Sequence, residues 1–179
     1  MVHQVVRFET REAFTMWEQE FREEEKVLRG SGLLSAPRIF TSKEDESVTI
    51  DLSWKTMDAA RKYLSAHTYL SDYPVEKENP ENLDNFISNH NYTMMSNIDR
   101  LRLRREGIVR LADRGVLFAA DHKMLSPTTK LQYTALEHGV KRMDSGKIFT
   151  YEEADNNVKS LSREVKGKFL HNGTVRYFE

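Results

Sequence analysis

The chain lacks cysteine: none of its 179 residues can form a disulfide, act as a thiol nucleophile or hold a metal through sulfur. Proteins without disulfides are typical of reducing compartments, so we expect a cytoplasmic location. No apolar run is long enough to cross a bilayer, and the N-terminal segment MVHQVVRFETRE lacks the basic and apolar regions of a secretion signal. The sequence therefore predicts no association with a membrane.

Recognisable catalytic and cofactor motifs are also missing. The sequence contains no Gly-rich phosphate loop, no nucleophile elbow and no His pair at the H-x-x-x-H spacing of a zinc site. The Glu137-His138 pair suits a general base, but a solvated helix surface explains it equally well. We expect no catalytic residue, no metal and no cofactor, and the sequence favours a non-enzymatic role without deciding it.

Charge is abundant, and its two signs are unevenly distributed. Residues 1–97 hold 11 of the 27 Lys and Arg but 17 of the 28 Asp and Glu, and residues 98–179 carry the corresponding basic excess. The two halves nearly cancel, which leaves a formal net charge of −1. A sign change of this size predicts two units with different surfaces.

The stretch Ser47–Tyr73 has the clearest local pattern. From Thr56, a residue that suits a helix N-cap, apolar residues recur at helical spacing. Before it, apolar and polar residues alternate, which predicts a strand with one buried face. The apolar positions of that strand are Val48, Ile50, Leu52 and Trp54. The stretch therefore predicts a strand that leads directly into an amphipathic helix.

The preceding residues add a strand, a helix and a second strand. Residues 2–8 alternate in the same way, an apolar helical stripe runs from Thr10 to Gly30, and residues 33–41 favour a strand. The order β-α-β-β-α needs one more strand to give the ferredoxin-like pattern βαββαβ, in which helices cover one face of a sheet. The other face would seek a partner, so we expect a homo-oligomer, with a dimer as the first expectation.

The motif W-x-T-x-x-A-x-x-x-Y-x-S runs from Trp54 to Ser65, directly after the predicted strand. On this motif, residues 1–75 resemble the dimeric α/β-barrel superfamily, which includes the antibiotic-biosynthesis monooxygenases and related haem-degrading enzymes. The resemblance implies that two sheets pair into a barrel through a homodimer. It also implies a substrate cavity beside the sheet, in which some members oxidise their substrate without a cofactor.

The resemblance supplies a set of candidate pocket residues: Arg7, Trp54, Tyr63 and Tyr73. The haem-degrading branch uses an asparagine, a tryptophan and a histidine, whose places here lie near Arg7, at Tyr63 and at Tyr73. None of the three is the required residue, which leaves a tyrosinate ligand at Tyr73 as the one haem hypothesis. The alternative is that Trp54 and Tyr63 are ordinary core aromatics, and we favour it because large aromatic residues usually serve packing.

Residues 74–91 predict an exposed linker. They contain two prolines, several asparagines and mostly acidic charge, as a domain boundary often does. Asn79-Pro80 suits the start of a short helix within this linker. The linker divides the chain into a first unit, residues 1–73, and a second unit, residues 92–179.

The apolar spacing of the second unit predicts mainly helices. One helix spans residues 94–111, another spans residues 131–143 after the start signal Ser126-Pro127, and a third spans residues 150–167. Asn172-Gly173 lies between two short β-rich runs and predicts a C-terminal β-hairpin. We therefore expect an α+β fold: a ferredoxin-like βαββα unit followed by a small, mainly helical unit with a terminal hairpin.

Six arginines cluster between Arg100 and Arg114. A guanidinium group binds two phosphate oxygens at once, so this stretch is a candidate site for a nucleic acid or an acidic partner. The alternative, which we favour, is a helix face that pairs with the acidic first unit, because the whole chain is not basic and the stretch lacks aromatic residues. The candidate binding residues are Arg100, Arg102, Arg104, Arg105 and Arg110.

These patterns leave three functional hypotheses. The first is a non-catalytic interaction or assembly protein that self-associates and docks a protein partner. The second is a cofactor-independent monooxygenase or small-ligand binder of the dimeric α/β-barrel type. A cavity beside Trp54 and Tyr63 would support it. The third is a nucleic-acid-binding accessory protein that uses the stretch Arg100–Arg114.

Overall fold

The structure is a computed structural model that describes residues 1–76, 82–123, 125–126 and 130–179. In these residues the fold is α+β, with a five-stranded sheet, a three-stranded sheet and six α-helices. In chain order the elements are β1 (Val2–Phe8), α1 (Arg11–Gly30), β2 (Arg38–Thr41), β3 (Val48–Trp54), α2 (Met57–Ala66), α3 (Leu83–Asn89), β4 (Thr93–Met95), α4 (Asn97–Asp113), β5 (Tyr133–Ala135), β6 (Gly139–Arg142), β7 (Ile148–Thr150), α5 (Tyr151–Ser160), α6 (Arg163–Leu170) and β8 (Gly173–Phe178).

The first five elements have the predicted order β-α-β-β-α. Thr10 and Thr56 cap α1 and α2, because each side-chain oxygen accepts a hydrogen bond from the amide three residues further on. Strand β2 is shorter than the predicted span 33–41. Leu33 lies outside it and forms only an isolated bridge with Trp54.

Strands from both ends of the chain meet in the five-stranded sheet, whose order is β4-β2-β3-β1-β8 with antiparallel neighbours throughout. Phe8 of β1 lies opposite Val48 of β3 on one side and opposite Gly173 of β8 on the other. A Cβ at Gly173 would lie 2.7 Å from the carbonyl oxygen of Arg7. Only glycine therefore lets β8 approach β1 this closely.

The C-terminal hairpin predicted around Asn172-Gly173 is wrong. The residues before the turn, Lys168 to Leu170, are the last of α6, and β8 pairs with β1. A two-stranded hairpin is marginally stable, whereas β8 beside β1 covers an open strand edge and joins the main core. The free edge of β1 thus provides a better partner than the neighbouring residues do.

Helices α1 and α2 cover one face of the five-stranded sheet, which we call the inner face. The inward side chains of β1 and β3 and the aromatic stripe of α1 form one core, in which Phe8, Phe14, Trp17 and Ile50 are fully buried. The rings of Trp17 and Phe21 stack with their centroids 4.6 Å apart. This face is a close-packed core.

The other face of the sheet, which we call the outer face, is covered in part by the chain itself. Leu83 and Phe86 of α3 pack against Val5 of β1 and Phe178 of β8. Thr49 of β3, which the alternation predicts to face water, is nearly fully buried. The outer face consequently leaves less bare surface for a second sheet than the sequence pattern predicts.

Helix α4 packs along α1 and joins the second half of the chain to the first. It begins at a capping box between Ser96 and Asp99. Gly107 lies against Thr15 of α1, and a Cβ at this glycine would lie 2.7 Å from the Cβ of Thr15. The missing side chain at Gly107 allows the two helices to approach.

The helix predicted over residues 131–143 is wrong, because this segment contains β5 and β6. Together with β7 these strands form an antiparallel sheet in the order β5-β6-β7. Tyr133, Val140 and Phe149 are buried, and Phe118 stacks on Phe149 with ring centroids 3.9 Å apart. Aromatic packing outweighs the helical spacing of this stretch. The second unit therefore combines this small sheet with the helices α4, α5 and α6.

The helix predicted over residues 150–167 is two helices. Helix α5 begins as predicted, with the Thr150 side chain accepting a hydrogen bond from the amide of Glu153. A break follows at Leu161, and Ser162 caps α6. Gly167 lies inside α6 and does not end it, because the Ser162 cap starts a new turn before it.

The predicted linker 74–91 includes residues outside the described part of the chain. The start signal Asn79-Pro80 and Pro127 of the other start signal lie there, while α3 follows an N-cap at Asn82. The boundary between two units stays a prediction. None of the helices in the described residues is long and apolar enough to span a membrane.

Candidate functional site

A cleft of about 350 Å³ lies between the C-terminal half of α1 and α2; we call it the inner cleft. Trp54 and Tyr63 form its floor, and five polar side chains surround it. Its apolar walls are Val27, Leu28, Ala59 and Ala66, and the polar side chains are Glu23, Glu24, Ser31, Lys62 and His67. The structure thus places a cavity at the two aromatic residues that the sequence singles out.

The floor of the inner cleft is held by hydrogen bonds between buried side chains. Trp54 is 1% exposed, and its Nε1 donates to Oε1 of Gln4 at 3.0 Å. The amide nitrogen of Gln4 donates in turn to the carbonyl oxygen of Ala60 at 2.9 Å, which ties β1 to α2. Sequence reasoning missed this role of Gln4. Its signal is a glutamine on the apolar face of the first strand.

The Tyr63 side chain is held in place by one hydrogen bond, and its hydroxyl group still has a hydrogen to donate. Trp17 Nε1 donates to the Tyr63 hydroxyl oxygen at 2.9 Å, and the side chain is 6% exposed. Burial raises the pKa of Tyr63, so its hydroxyl keeps the proton across the physiological range. Among the described residues, this hydrogen finds no acceptor. Because Tyr63 lines the inner cleft, this hydrogen is a candidate donor to a molecule bound there.

The polar side of the inner cleft contains further groups that can form hydrogen bonds. Nε2 of His67 lies 3.0 Å from Oε2 of Glu20, and this contact lowers the pKa of Glu20. Nδ1 of His67 is buried without a hydrogen-bond partner among the described residues. Desolvation raises the pKa of the Glu24 carboxyl. The inner cleft thus combines an apolar body with polar groups that can orient a ligand.

The structure does not bring the other two candidate pocket residues to this cleft. Arg7 points to the outer face and pairs with Glu9 and Asp45. Tyr73 is buried beside Phe8, with ring centroids 6.3 Å apart. Burial raises the pKa of Tyr73, which works against the tyrosinate form that would ligate haem iron.

Two arginines of α4 pair with the buried carboxylate of Glu18 on α1. Arg104 makes a bidentate contact, with Nε and one terminal nitrogen 2.6 and 2.7 Å from the two Glu18 oxygens. Nε of Arg100 lies 3.5 Å from the same carboxylate, and its guanidinium lies 5.6 Å above the centre of the Phe21 ring. The positive charges of Arg100 and Arg104 are therefore paired within the molecule.

Two more candidate arginines are also engaged. Arg105 donates to the carbonyl oxygen of Glu137 at 2.9 Å, and Arg110 lies 2.8 Å from Glu46. Arg102 is 62% exposed and pairs only with Asp99 among the described residues. Three of the five candidate arginines, Arg100, Arg104 and Arg110, thus pair with acidic residues of the first unit.

A second depression, of about 760 Å³, runs along α4 beside β5; we call it the α4 groove. Its apolar residues include Ile98, which is 81% exposed, Leu101 and Val109. Charges of both signs line it, among them Arg105 and Glu106. Ile98 and Leu101 lie within the helix predicted over residues 94–111, but sequence reasoning did not predict this groove.

Comparisons with known proteins add no relative: no family model, no curated protein and no solved structure matches the chain. The resemblance of residues 1–75 to the dimeric α/β barrels stays a prediction. Within the described residues, no group of three or more His, Asp or Glu side chains is placed to hold a metal ion.

Proposed function

We propose that the protein binds a small, mainly apolar molecule in the inner cleft, and that this molecule carries a hydrogen-bond acceptor such as a carbonyl oxygen. The observation that carries the proposal is the Tyr63 hydroxyl, which Trp17 holds in place and whose hydrogen is unused among the described residues. A volume of about 350 Å³ suits a small ligand, since such pockets span about 300–1,000 Å³.

The proposal takes up the small-ligand hypothesis of the barrel type. It is supported by the strand order: β8 lies beside β1 and supplies the last strand that the pattern βαββαβ requires. We therefore propose a ferredoxin-like arrangement in which the residues between α2 and β8 are an insertion. A cofactor-independent oxygenase of this type would hold its substrate in the same cleft.

The test uses prodan, a neutral naphthalene ketone whose fluorescence depends on the polarity of its surroundings. We expect the full chain to bind it saturably. Tyr63→Phe should weaken binding by about 3- to 10-fold, the value of one neutral hydrogen bond. Ala66→Trp, a change at an exposed helix position, should fill the inner cleft and weaken binding further.

Tyr69→Phe is the matched control, because Tyr69 donates to the carbonyl oxygen of Arg163 and does not line the inner cleft. Its prodan affinity should equal that of the wild type. Circular dichroism establishes that each variant folds. If Tyr63→Phe and Ala66→Trp bind prodan like the wild type, the molecule does not bind in this cleft and the proposal fails.

As a second function, we propose self-association through the α4 groove, with another copy of the chain as the occupant. The observation that favours it is the exposure of Ile98, whose side chain is 81% accessible beside Leu101. A two-fold interface must be self-complementary, and Arg105 and Glu106 give this groove both charge signs side by side.

Sedimentation velocity tests the second proposal. We expect a dimer whose dissociation constant rises on Ile98→Lys, because a charge would enter the apolar part of the interface. Ile148→Lys is the control, since Ile148 is also partly exposed but lies on β7 outside the groove. A wild type that stays monomeric at high concentration contradicts self-association.

A further inference from the structure

A separate pocket of about 310 Å³ lies on the outer face of the five-stranded sheet; we call it the outer pocket. Val5 and Thr49 belong to its sheet side, and Phe86, His90 and Tyr92 form an aromatic wall. The rings of Phe86 and His90 lie 4.2 Å apart, and those of His90 and Tyr92 are stacked at 5.4 Å. The sheet separates this pocket from the inner cleft.

A buried polar atom marks the sheet side of the outer pocket. Thr49 is 2% exposed, and its hydroxyl oxygen has no hydrogen-bond partner among the residues that the structure describes. A buried hydroxyl without a partner costs free energy, which a ligand with a polar group can recover. Thr49 therefore indicates a polar occupant.

Two opposite charges, Glu76 and Arg176, line the same pocket. The amide of Glu76 donates to the carbonyl oxygen of Val175 at 2.8 Å, which places Glu76 next to Arg176 of β8. The Arg176 guanidinium lies 5.1 Å above the centre of the Phe86 ring. In the described part of the chain, neither Arg176 nor Glu76 forms an ion pair.

The remaining cation of the outer pocket is already neutralised. Arg7 pairs with Glu9 and, at 3.0 Å, with Asp45. Glu44 adds an exposed carboxylate at the pocket. The charged groups without an ion-pair partner among the described residues are thus one guanidinium and two carboxylates. They suit a ligand that carries both a positive and a negative charge better than a simple anion.

We propose that the outer pocket binds a free α-amino acid with an apolar or aromatic side chain. Arg176 holds the α-carboxylate through its planar fork, and Glu76 accepts from the α-ammonium group. The hydroxyl of Thr49 meets one of the polar groups, and the ligand side chain packs against Phe86 and Tyr92. An α-amino acid carries both of these charges, and Glu76 and Arg176 offer one partner for each at the same pocket.

The test measures binding of L-phenylalanine to the full chain by NMR titration, beside two analogues that each lack one charge. Phenylacetate lacks the ammonium group and phenethylamine lacks the carboxylate. We expect saturable binding of L-phenylalanine and at least about tenfold weaker binding of either analogue, the value of a charged hydrogen bond. Arg176→Gln and Glu76→Gln should each weaken L-phenylalanine binding by at least about tenfold for the same reason.

Arg61→Gln is the matched control, because Arg61 lies exposed on α2, on the inner side of the sheet, and should leave the affinity unchanged. Prodan binding should stay at the wild-type level in Arg176→Gln, which separates this site from the inner cleft and shows that the variant folds. The proposal is overturned if L-phenylalanine does not bind saturably, if both variants bind it like the wild type, or if phenethylamine binds as tightly as the amino acid.

Discussion

The two faces of the five-stranded sheet differ in what covers them and in what they leave unused. The inner face lies under α1 and α2 and packs aromatic rings such as Trp17 against the sheet. The outer face is covered by the short helix α3 around a small cluster that includes Val5 and Phe86. The inner face thus stabilises the fold, while the outer face presents polar groups to a pocket.

The alternating side chains of a strand such as β3 are buried on both faces of the sheet, but their surroundings differ between the two faces. On both faces of β3 the side chains are buried, including Ile50 on one side and Thr49 on the other. Most inner side chains pack against apolar partners, and the polar atoms left without a partner there include the hydrogen of Tyr63 and Nδ1 of His67. The outer side chains have both polar and apolar partners. Charged groups such as the Arg176 guanidinium form no ion pair among the described residues.

The largest expected effect compares one core substitution on each side. Phe14→Ala on the inner side should lower the free energy of unfolding by about 4 kcal/mol, because it empties a fully buried aromatic site. Leu83→Ala on the outer side should cost about 2 kcal/mol, since the seven-residue helix α3 can open locally and limit the loss. Urea unfolding measures both, and equal losses would break the comparison.

The next effect concerns the buried charge on the inner side. The Glu18 side chain is fully buried and contacts Arg22, Arg100 and Arg104. Glu18→Gln should cost about 3 kcal/mol, because three cations lose their shared partner. Glu23→Gln, at an exposed position that pairs with Lys159, should cost less than about 1 kcal/mol. A small loss for Glu18→Gln in urea unfolding would show that the cluster rearranges freely.

A third prediction concerns the close contact between α1 and α4. Gly107→Ala should cost about 1 to 3 kcal/mol, because the new methyl group meets Thr15 and the carbonyl oxygen of Arg11. Gly30→Ala is the control, since no atom lies within 4 Å of a Cβ at Gly30. Its thermal midpoint should not fall. A neutral Gly107→Ala would mean that α1 and α4 do not pack this closely.

The smallest effect is a pH dependence at the edge of the inner cleft. The contact with His67 lowers the pKa of Glu20, so the folded state favours the ionised carboxylate more than the unfolded state does. Its contribution is present above the ordinary pKa of a glutamate and is lost as the pH falls through the lowered value. Because Glu20 is more than a third exposed, screening limits this contribution to about 0.5 kcal/mol.

Urea midpoints recorded from pH 7 down to pH 3 measure this contribution. The wild type should lose slightly more stability than Glu20→Gln over that range, since the variant has no carboxylate to protonate. Glu44→Gln, at an exposed loop position, should follow the wild type. A Glu20→Gln curve parallel to that of the wild type would contradict the role of the contact.

The first five elements could be predicted from the sequence because local signals determine them. Thr56 caps a helix and the residues before it alternate, and neither signal depends on the rest of the chain. The residues after α4 could not be predicted in the same way. Leu131 to Met143 have helical spacing, but Tyr133 and Phe149 gain more by packing with Phe118 across a sheet.

The candidate site could be predicted only in part. Trp54 and Tyr63 follow from the strand–helix motif, whereas Glu24 and His67 come to the same cleft only through the packing of α1 against α2. Arg7 was assigned to the pocket by resemblance, but strand alternation already places it on the opposite face from Gln4. The pairing of β8 with β1 could not be predicted either, because strands 165 to 175 residues apart in the chain leave no local signal.

The most direct test of the inner cleft follows the indole protons of the chain's two tryptophans, Trp17 and Trp54, by NMR. Trp54 lines the cleft, and Trp17 donates to Tyr63 at its floor. Addition of prodan should shift both indole signals saturably, and the same concentration should shift them less in Tyr63→Phe. Prodan fluorescence that rises while both indole signals stay in place would put the ligand elsewhere and contradict the account.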